Sequence, residues 1–484
     1  MPIFHFMDGQ DPRDLRIAQL EREVAELKEL VAQFTERAAR AEARVAELED
    51  QLNRNSGNSS RPPSSDPPGH PGKKPERKSS GRKQGGQPGH TGHRRALFPA
   101  DKVTKSQDIK PTDCEKCGFQ GLTGHDNHAL VHQVMEIPVF ALLVYQYLLH
   151  ALECPRCHHV TRAKLPPGVP EDTLGVRLTA LIAFLSSLHL GKRVVSEVLA
   201  QLFGAPVSPA SVCMAEQKVS QAVAMPVDAV RDHLMTQNVN GDETGWFERN
   251  RRKWLWVAVS ASCAYFLIQG SRNAAAAVTL LGHAFAGILT TDRHGAYNVV
   301  ELRRRQVCWA HLLRDFQGMA DSSIKPCRQL GLALVAQTQQ LFHLWHAFKR
   351  GEMTRQELQL AMQPVMATVT GTLHVGSRAN TKKLSRFCKG LLRLEPALWT
   401  FVRDEGLEPT NNRAERTLRP AVIWRKLSHG TQTEAGSLFV GRILSVVTTL
   451  RQQGRNVVQW LVEALTAHAH GTGPPSLLPQ PAAP

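Results

Sequence analysis

The sequence predicts a multidomain α+β protein: an N-terminal coiled coil, a zinc-ribbon-like unit, a helical region, and an α/β domain with a helical insertion. Three observations predict it. Apolar residues fall into heptads from Ile17 to Leu52, two CxxC pairs stand at Cys114/Cys117 and Cys154/Cys157, and a strand-rich block begins at Val239 and gives way to helices. At 484 residues the chain exceeds one ordinary domain and suits about three.

The heptads run over residues 13–52. Position a holds Ile17, Val24, Val31, Ala38, Val45 and Leu52; position d holds Leu20, Leu27, Phe34, Ala41 and Leu48. β-Branched residues at a with Leu at d favour a parallel pair. The flanking pairs Glu23–Lys28, Arg37–Glu42 and Arg44–Glu49 are of opposite sign. They point to a homodimer or higher oligomer, with a lone amphipathic helix as the alternative.

Residues 53–105 change character. Gly, Pro and Ser dominate, and such a segment buries too little apolar surface to offset its chain entropy. It reads as a disordered basic linker, with Lys73, Lys74, Arg77, Lys78, Arg82, Lys83, Arg94 and Arg95 as candidate DNA-phosphate contacts. A solvated tether is the plainer reading. The whole chain carries a net charge of +16, with a pI near 9.7. Each Lys or Arg that meets a phosphate releases condensed counterions, so this surplus suits nucleic acid, with solubility as the alternative.

Residues 106–165 form the expected zinc-binding unit. Two CxxC turns present four thiolates, the donor set of a structural Zn²⁺ site, at Cys114, Cys117, Cys154 and Cys157. The 37 positions from Cys117 to Cys154 leave room for a β-hairpin between the pairs. Four free thiols are the alternative, and His125, His128, His132, His158 and His159 read as solvated. The other cysteines, Cys213, Cys263, Cys308, Cys327 and Cys388, have no regular spacing, so a disulfide framework is not expected and a reducing compartment is. The most apolar run, Ile137 to Leu152, is shorter than the about 20 residues of a spanning helix and contains Gln146 and His150. A buried strand pair is expected there, and no membrane role. The first residues lack the basic and apolar regions of a secretory signal.

Residues 170–225 read as helical. A turn over Gly204 to Pro209, then a helix capped near Ser208 with Pro209 at its first position, fits a helix-turn-helix or a plain helical hairpin. Residues 235–465 hold the expected catalytic domain, with an insertion at about 315–405. VNGDETGWF, KWLWVAVSAS and AYFLIQGS read as three strands, a helix follows from Asn273, GILTTD is a fourth strand, and QVCWA a short further one. Helices come next, with a basic irregular section between Gly371 and Arg393. Residues 470–484 read as a disordered Pro-rich tail.

This element order is that of a ribonuclease-H-like domain, with the first and fourth strands adjacent at the centre of a mixed sheet. Asp242 lies in the first strand, Asp292 ends the fourth, and Glu415 opens a helix in NNRAERTLRP. Carboxylates gathered there repel unless a cation joins them. Two Mg²⁺ (or Mn²⁺) ions about 4 Å apart answer that need and clamp both oxygens of a phosphodiester displacement. Asn411, Asn412 and Arg419 share the Glu415 helix face at helical spacing. The asparagines are candidate holders of the carboxylate, and Arg416 or Arg419 candidate phosphate contacts. Glu243 points to the other side of the strand and is second choice.

Taken together, these segments resemble the insertion-sequence-66 family of DDE transposases along nearly the whole chain. The resemblance rests on NSGNSSRPPSSD, GGQPGHTGH, CEKC, CPRC, DETGW, TTDRHGAY, CWAHLLRDF, NNRAERTLRP and WRKLSHGT. It implies a catalytic triad of Asp242, Asp292 and Glu415, with a helical insertion in the 123 positions between the last two. It further implies binding and joining of DNA ends, accessory proteins from the same element, and a bacterial, cytoplasmic, nucleoid-associated setting. His311 of the CWAH segment either positions the site or packs. A DNA-binding protein derived from a transposase but lacking catalysis, and a nuclease that cuts without joining, are the rivals.

Overall fold

Alternation and turn chemistry build the central sheet. In the computed structural model, which describes residues 12–59, 96–124, 130–138, 140, 142–167, 169 and 173–479, strands β3 (Val239–Glu248), β4 (Arg251–Val259) and β5 (Ala264–Gln269) form an antiparallel meander. Arg249 and Asn250 join β3 to β4 with φ of 48° and 61°, the left-handed pair that a two-residue hairpin requires. Helix α6 (Ala274–Leu281) then starts on Asn273, whose side chain accepts from the Ala276 N–H. The chain returns as β6 (Leu289–Thr291), parallel to β3 with Val239 opposite Leu289, and β7 (Arg305–Val307) follows, parallel to β6. The order β5-β4-β3-β6-β7 puts the first and fourth strands side by side, as the sequence predicts. The fifth strand stops at Val307; Cys308 is already the N-cap of α7 (Trp309–Ala320).

The exposed edge of the sheet is closed by a helix, α14 (Glu434–Gln452). Its Ser445 and Thr449 hydroxyls accept from the backbone N–H groups of Phe266 and Ala264 on β5. That removes a free strand edge. Beneath it lie Trp246, Leu255, Trp256, Val257 and Phe266, packed with Tyr297, with Leu418 and Trp424 of α13 (Asn412–Ser428), and with Trp460 of α15 (Val457–Ala469). Each such side chain contributes about 1.5–3 kcal/mol by leaving water.

The insertion has a core of its own. It comprises α7, α8 (Lys325–Lys349), α9 (Arg355–Ser377), α10 (Lys382–Arg393), and the single turns α11 (Glu395–Leu398) and α12 (Thr400–Arg403). Trp309, Leu334, Leu341, Trp345, Leu358, Met362, Trp399 and Phe401 meet inside it. α7 and α8 cross so closely at Gly331 that a Cβ there would stand 2.3 Å from the Ala320 nitrogen. Thr354 and Glu357 form a capping box at the start of α9.

The helical region is α2 (Val176–Ser187), α3 (Lys192–Phe203), α4 (Pro209–Ala222) and α5 (Ala224–Leu234). Ser208 caps α4 through a 3.1 Å bond from the Ser211 N–H, with Pro209 at the first position, and Gly204 ends α3 at φ 62°. The predicted turn is therefore present. Ala180, Ala183, Val219 and Ala222 join the core under the sheet, so α2 and α4 pack with it rather than apart.

Three expectations are corrected. The section between Gly371 and Arg393 is helical except near 378–381, because Leu384, Cys388 and Leu391 bury one stripe of α10 beneath its Lys and Arg residues. The run at Ile137 to Leu152 is no buried strand pair: its described residues include Leu143, Val144, Tyr145 and Leu148, all more than 70% exposed. Among the described residues of this unit the strand pairing is the short hairpin of β1 (Ala151–Glu153) with β2 (Val160–Arg162), which encloses the second CxxC pair instead of separating the pairs. Residues 471–479 are ordered against α14 and α15: Leu477 is buried, Trp460 Nε1 donates to the Ser476 carbonyl, and Gln453 donates to that of Leu477.

The N-terminal heptads form one helix, α1 (Pro12–Leu52), with its a and d side chains, such as Leu27 and Val31, facing solvent. The candidate linker contacts Lys73, Lys74, Arg77, Lys78, Arg82, Lys83, Arg94 and Arg95, the histidines 125 and 128, and the last tail residues lie outside the described residues. Among the described residues no helix is long and apolar enough to cross a membrane.

Candidate metal centre

Adjacent residues of β3 face opposite ways, and the two acids there meet different surroundings. Asp242 Oδ1 accepts from the Glu243 N–H at 2.9 Å. Burial, then the negative charges of Glu243, Asp292 and Glu415, push its carboxyl well above the usual carboxylate range. Asp292 lies just past β6, where Oδ1 accepts from the His294 N–H at 2.9 Å. The parallel pairing of β3 with β6 brings these two acids to one end of the sheet. Glu415 enters from the first turn of α13.

Glu243 is fully committed elsewhere. Its Oε1 takes Arg272 Nε at 2.7 Å and a second guanidinium nitrogen at 2.6 Å, and its Oε2 takes the Tyr297 hydroxyl. Tyr297 is buried edge-on to Trp256, the β4 residue opposite Glu243. Burial, then the Glu243 charge, hold its phenol well above its ordinary value, as a proton donor. Glu243 thus braces the loop after β6 and leaves Asp242 as the acid facing the other site carboxylates.

Two residues of α7 approach Glu415. His311 Nδ1 and one Arg314 guanidinium nitrogen each stand 3.5 Å from Glu415 Oε1. Neither distance is a good hydrogen bond, and both His311 Nδ1 and Glu415 Oε1 are buried without a hydrogen-bond partner. Burial, then the Arg314 charge, pull His311 below its ordinary value, toward neutral imidazole. Cys308 Sγ lies in the same group: ligand atoms of Cys308, His311 and Glu415 fall within 4.8 Å of one another, the one such group among the described residues. Burial raises the Cys308 thiol to about 11, and its sulfur accepts the Asn411 N–H at 3.1 Å. It is therefore a protonated thiol and a poor metal ligand, since the thiolate is the ligand form. What remains is oxygen: neighbouring carboxylates and a Glu415 oxygen that has ion-pair neighbours but no hydrogen bond, a donor type that fits a hard divalent cation.

The predicted supports are partly reassigned. Asn411 does not hold the Glu415 carboxylate. Its side chain donates to the Gly241 carbonyl at 2.8 Å and accepts from Asn240 at 3.1 Å, stapling the start of α13 to β3. Helical spacing pointed to Glu415, but Asn411 precedes the helix and turns toward the sheet. Asn412, Arg416 and Arg419 are exposed on α13, and Arg416 Nε donates to the Asn412 carbonyl.

Sequence reasoning passed over Arg314, Tyr297 and a cationic stack on β4. Arg314 follows His311 by three positions in CWAHLLRDF, a spacing that puts both on one helix face. In the stack, the Arg252 and Arg272 guanidinium groups lie over the Trp254 ring at 4.7 and 4.9 Å from its centre. Arg425 reaches the nearby Gly245 carbonyl and also feels the Arg252 charge.

The two CxxC segments fold alike. In the first, Gly118 donates to the Cys114 carbonyl at 2.8 Å and Cys114 to that of Phe119 at 3.0 Å; in the second, His158 donates to Cys154 at 2.9 Å and Cys154 to His159 at 3.0 Å. Gly118 and His158 take φ of 71° and 56° to close the turns. Backbone N–H groups aimed at the sulfur lower the Cys114 and Cys154 thiols, the direction a thiolate ligand needs. Each knuckle fits half of a zinc site, while the four sulfurs are not gathered into one cluster.

Comparison with known proteins covers the same regions. Residues 10–96 match a family of unknown function (DUF6444). An uncharacterized protein, y4qI, of Sinorhizobium fredii is 24% identical over 249 residues, covering 46% of this chain and 45% of that protein. The chain therefore spans less than half the length of this relative. Residues 173–438, from the start of the helical region to the first turns of α14, match the model of the transposase IS66 family. That is more than half of the chain, and the protein belongs to the IS66 family of transposases.

Proposed function

We propose that the protein is a DNA transposase that binds the ends of an insertion sequence and catalyses metal-dependent strand cleavage and strand transfer. The observation that carries this reading is geometric: parallel β3 and β6 bring Asp242 and Asp292 to one end of the sheet, and the first turn of α13 carries Glu415 within electrostatic reach of Asp242. Three acids distant in sequence, each half-buried, feel one another's charge there.

Asp242, Asp292 and Glu415 are the residues that would hold two divalent ions, Mg²⁺ or Mn²⁺. When bound, such ions supply charge stabilisation for the attacking and leaving oxygens of an in-line displacement at phosphorus. The chain's own residues do the rest. Asn411 fixes the start of α13, Glu243 with Arg272 and Tyr297 fixes the loop carrying Asp292, and His311 and Arg314 flank Glu415. In the first displacement water attacks, one P–O bond breaks as another forms, and the element end leaves with a 3′-hydroxyl. In the second, that hydroxyl attacks a target phosphodiester and releases the other target oxygen.

DNA is held mainly through phosphates. The stack of Arg252, Trp254 and Arg272, exposed Arg416 and Arg419, and the basic linker are the proposed contacts, with the helical region beside them. Cys114, Cys117, Cys154 and Cys157 hold one structural Zn²⁺, and the exposed a/d stripe of α1 pairs copies of the chain. Accessory proteins of the same element complete the assembly.

The test is joining in cells that carry a marked element with its own ends and accessory genes, supplied with the protein or its Glu415→Gln variant. Joining with the first and none with the second, at equal binding of the ends, is expected. Absence of joining with both, with end binding intact, would overturn catalysis in favour of a DNA-binding derivative.

A further inference from the structure

The segment after the N-terminal helix folds on itself and then onto the insertion. Asn55 Oδ1 accepts from the Gly57 N–H at 2.8 Å, and the Asn55 N–H donates to Asn58 Oδ1 at 2.8 Å. Asn58 Nδ2 donates to the Asn53 carbonyl at 3.0 Å, and Ser59 Oγ to that of Asn55 at 2.6 Å. These are Asn side chains closing tight turns on nearby backbone. Asn58 is buried, although it stands in a polar stretch.

What buries it is the corner between α7 and α8. Asn58 Nδ2 also reaches Asp321 Oδ2 at 3.3 Å. Its carbonyl lies against Gly318 of α7, where a Cβ would stand 2.2 Å from that oxygen. Asp50, in the last turn of α1, accepts from Ser322 Oγ at 2.6 Å and from the Ser323 N–H at 3.1 Å. α8 has no side-chain cap of its own at Ile324. Asp50 supplies a carboxylate just ahead of that helix start, accepting from Ser323 before the N-cap, and Ser322 Oγ, which donates to Asp50, accepts from the Ile324 N–H at 3.1 Å; the carboxylate also meets the positive end of the helix dipole. The same α7 presents His311 and Arg314 to Glu415 at its other end.

We propose that Asp50 and the Asn55–Ser59 turn form a latch on the α7–α8 corner, tying the N-terminal helix to the helix that flanks Glu415. The contact needs a glycine at 318, an acid at 50 and an asparagine at 58, and the chain has all three. Assembly of N-terminal helices and the position of α7 are thereby coupled through about 10 Å of one helix, from Gly318 to His311. The latch itself stands apart from the proposed catalysis; its consequence for joining rests on that reading.

Hydrogen exchange of the full chain tests it with Gly318→Ala and Asp50→Ala. Alanine is the better helix former, so the first variant keeps α7 helical while its methyl group displaces Asn58. The amides of Asn55, Gly57, Asn58 and Ser323 should be protected in the parent and exchange about tenfold faster in both variants, the scale of a lost helix cap. Faster exchange should extend along α7 to the turn holding His311. Parent amides at 55–58 as fast as free peptide, or unchanged in Gly318→Ala, would overturn the latch; release without any change at His311 would overturn the coupling. Joining by the two variants is then compared with end binding, and slower joining at equal binding is expected. If the parent protein joins no DNA, the catalytic reading fails while exchange still decides latch and coupling.

Discussion

Replacing Asp242 with Asn should stabilise the metal-free protein while removing its response to divalent metal. Burial and three neighbouring acids raise the Asp242 carboxyl. A group raised in the folded chain gives stability that is complete below its unfolded value and is lost as pH rises through the folded value. Ionisation of the parent's carboxyl removes that contribution, and an amide of the same shape does not ionise. The size follows from Coulomb's law: one like-charge neighbour at about 5 Å and an effective dielectric near 20 costs roughly 3 kcal/mol. Residual protonation and the Asp242 bond to the Glu243 N–H reduce this, leaving a gain of roughly 1–3 kcal/mol. At about 2–4 °C per kcal/mol for a unit of this size, Tm should rise by roughly 2–12 °C. Thermal unfolding in chelator, then with Mn²⁺, is the assay. Mn²⁺ should raise the parent's Tm and leave the variant's nearly unchanged. A variant no more stable than the parent in chelator, or one that gains as much from Mn²⁺, would refute the view that these acids form one uncompensated cation site.

Two further outcomes follow from the surroundings of the site. Tyr297→Phe removes one of the donors to the buried Glu243 carboxylate; it should cost about 1.5–3 kcal/mol, the worth of a hydrogen bond to a charged group, and a denaturant midpoint equal to the parent's would contradict that role. For the knuckles, elemental analysis should give about one zinc per chain, the count of a four-thiolate site; Cys154→Ser should lose the metal and expose the region around β1 and β2 to proteases, whereas a metal-free parent purified without chelator would point to four free thiols.

The sheet was legible because its residues follow strand patterns and are punctuated by hairpin signals. Leu255 to Val259 of β4 form an unbroken apolar run buried on both faces, the mark of a central strand, and the Arg249-Asn250 turn separates β3 from it. The placement of the candidate acids Asp242 and Asp292 at one end of the sheet was legible through element order, since parallel pairing of the first and fourth strands sets it. Alternation also separated Glu243 from Asp242. The supports were not legible. Local spacing joined Asn411 to Glu415, but a residue before the first helical turn is free to turn to the sheet, and the Gly241 carbonyl is 170 positions away. α10 was hidden because the Lys and Arg residues that solvate its outer face outnumber the three that bury it. The contact of Asn58 with Gly318 joins positions 260 apart, and no periodicity encodes it.

These long-range supports explain how the metal-free chain keeps repelling carboxylates together. Asp242 is destabilised where it stands, so something must oppose the separation of β3, the loop after β6, and α13. Asn411 opposes it with three hydrogen bonds across one joint: its amide donating to Gly241, its carbonyl oxygen accepting from Asn240, and its backbone N–H on Cys308. Glu243 opposes it at the other joint, binding Tyr297 of the loop and Arg272 beyond β5. Neither residue is aimed at the place where the three acids meet, and both are buried, where an unmade hydrogen bond is most costly. The fold therefore braces β3, the loop after β6 and the start of α13 through neutral and paired contacts that need no cation.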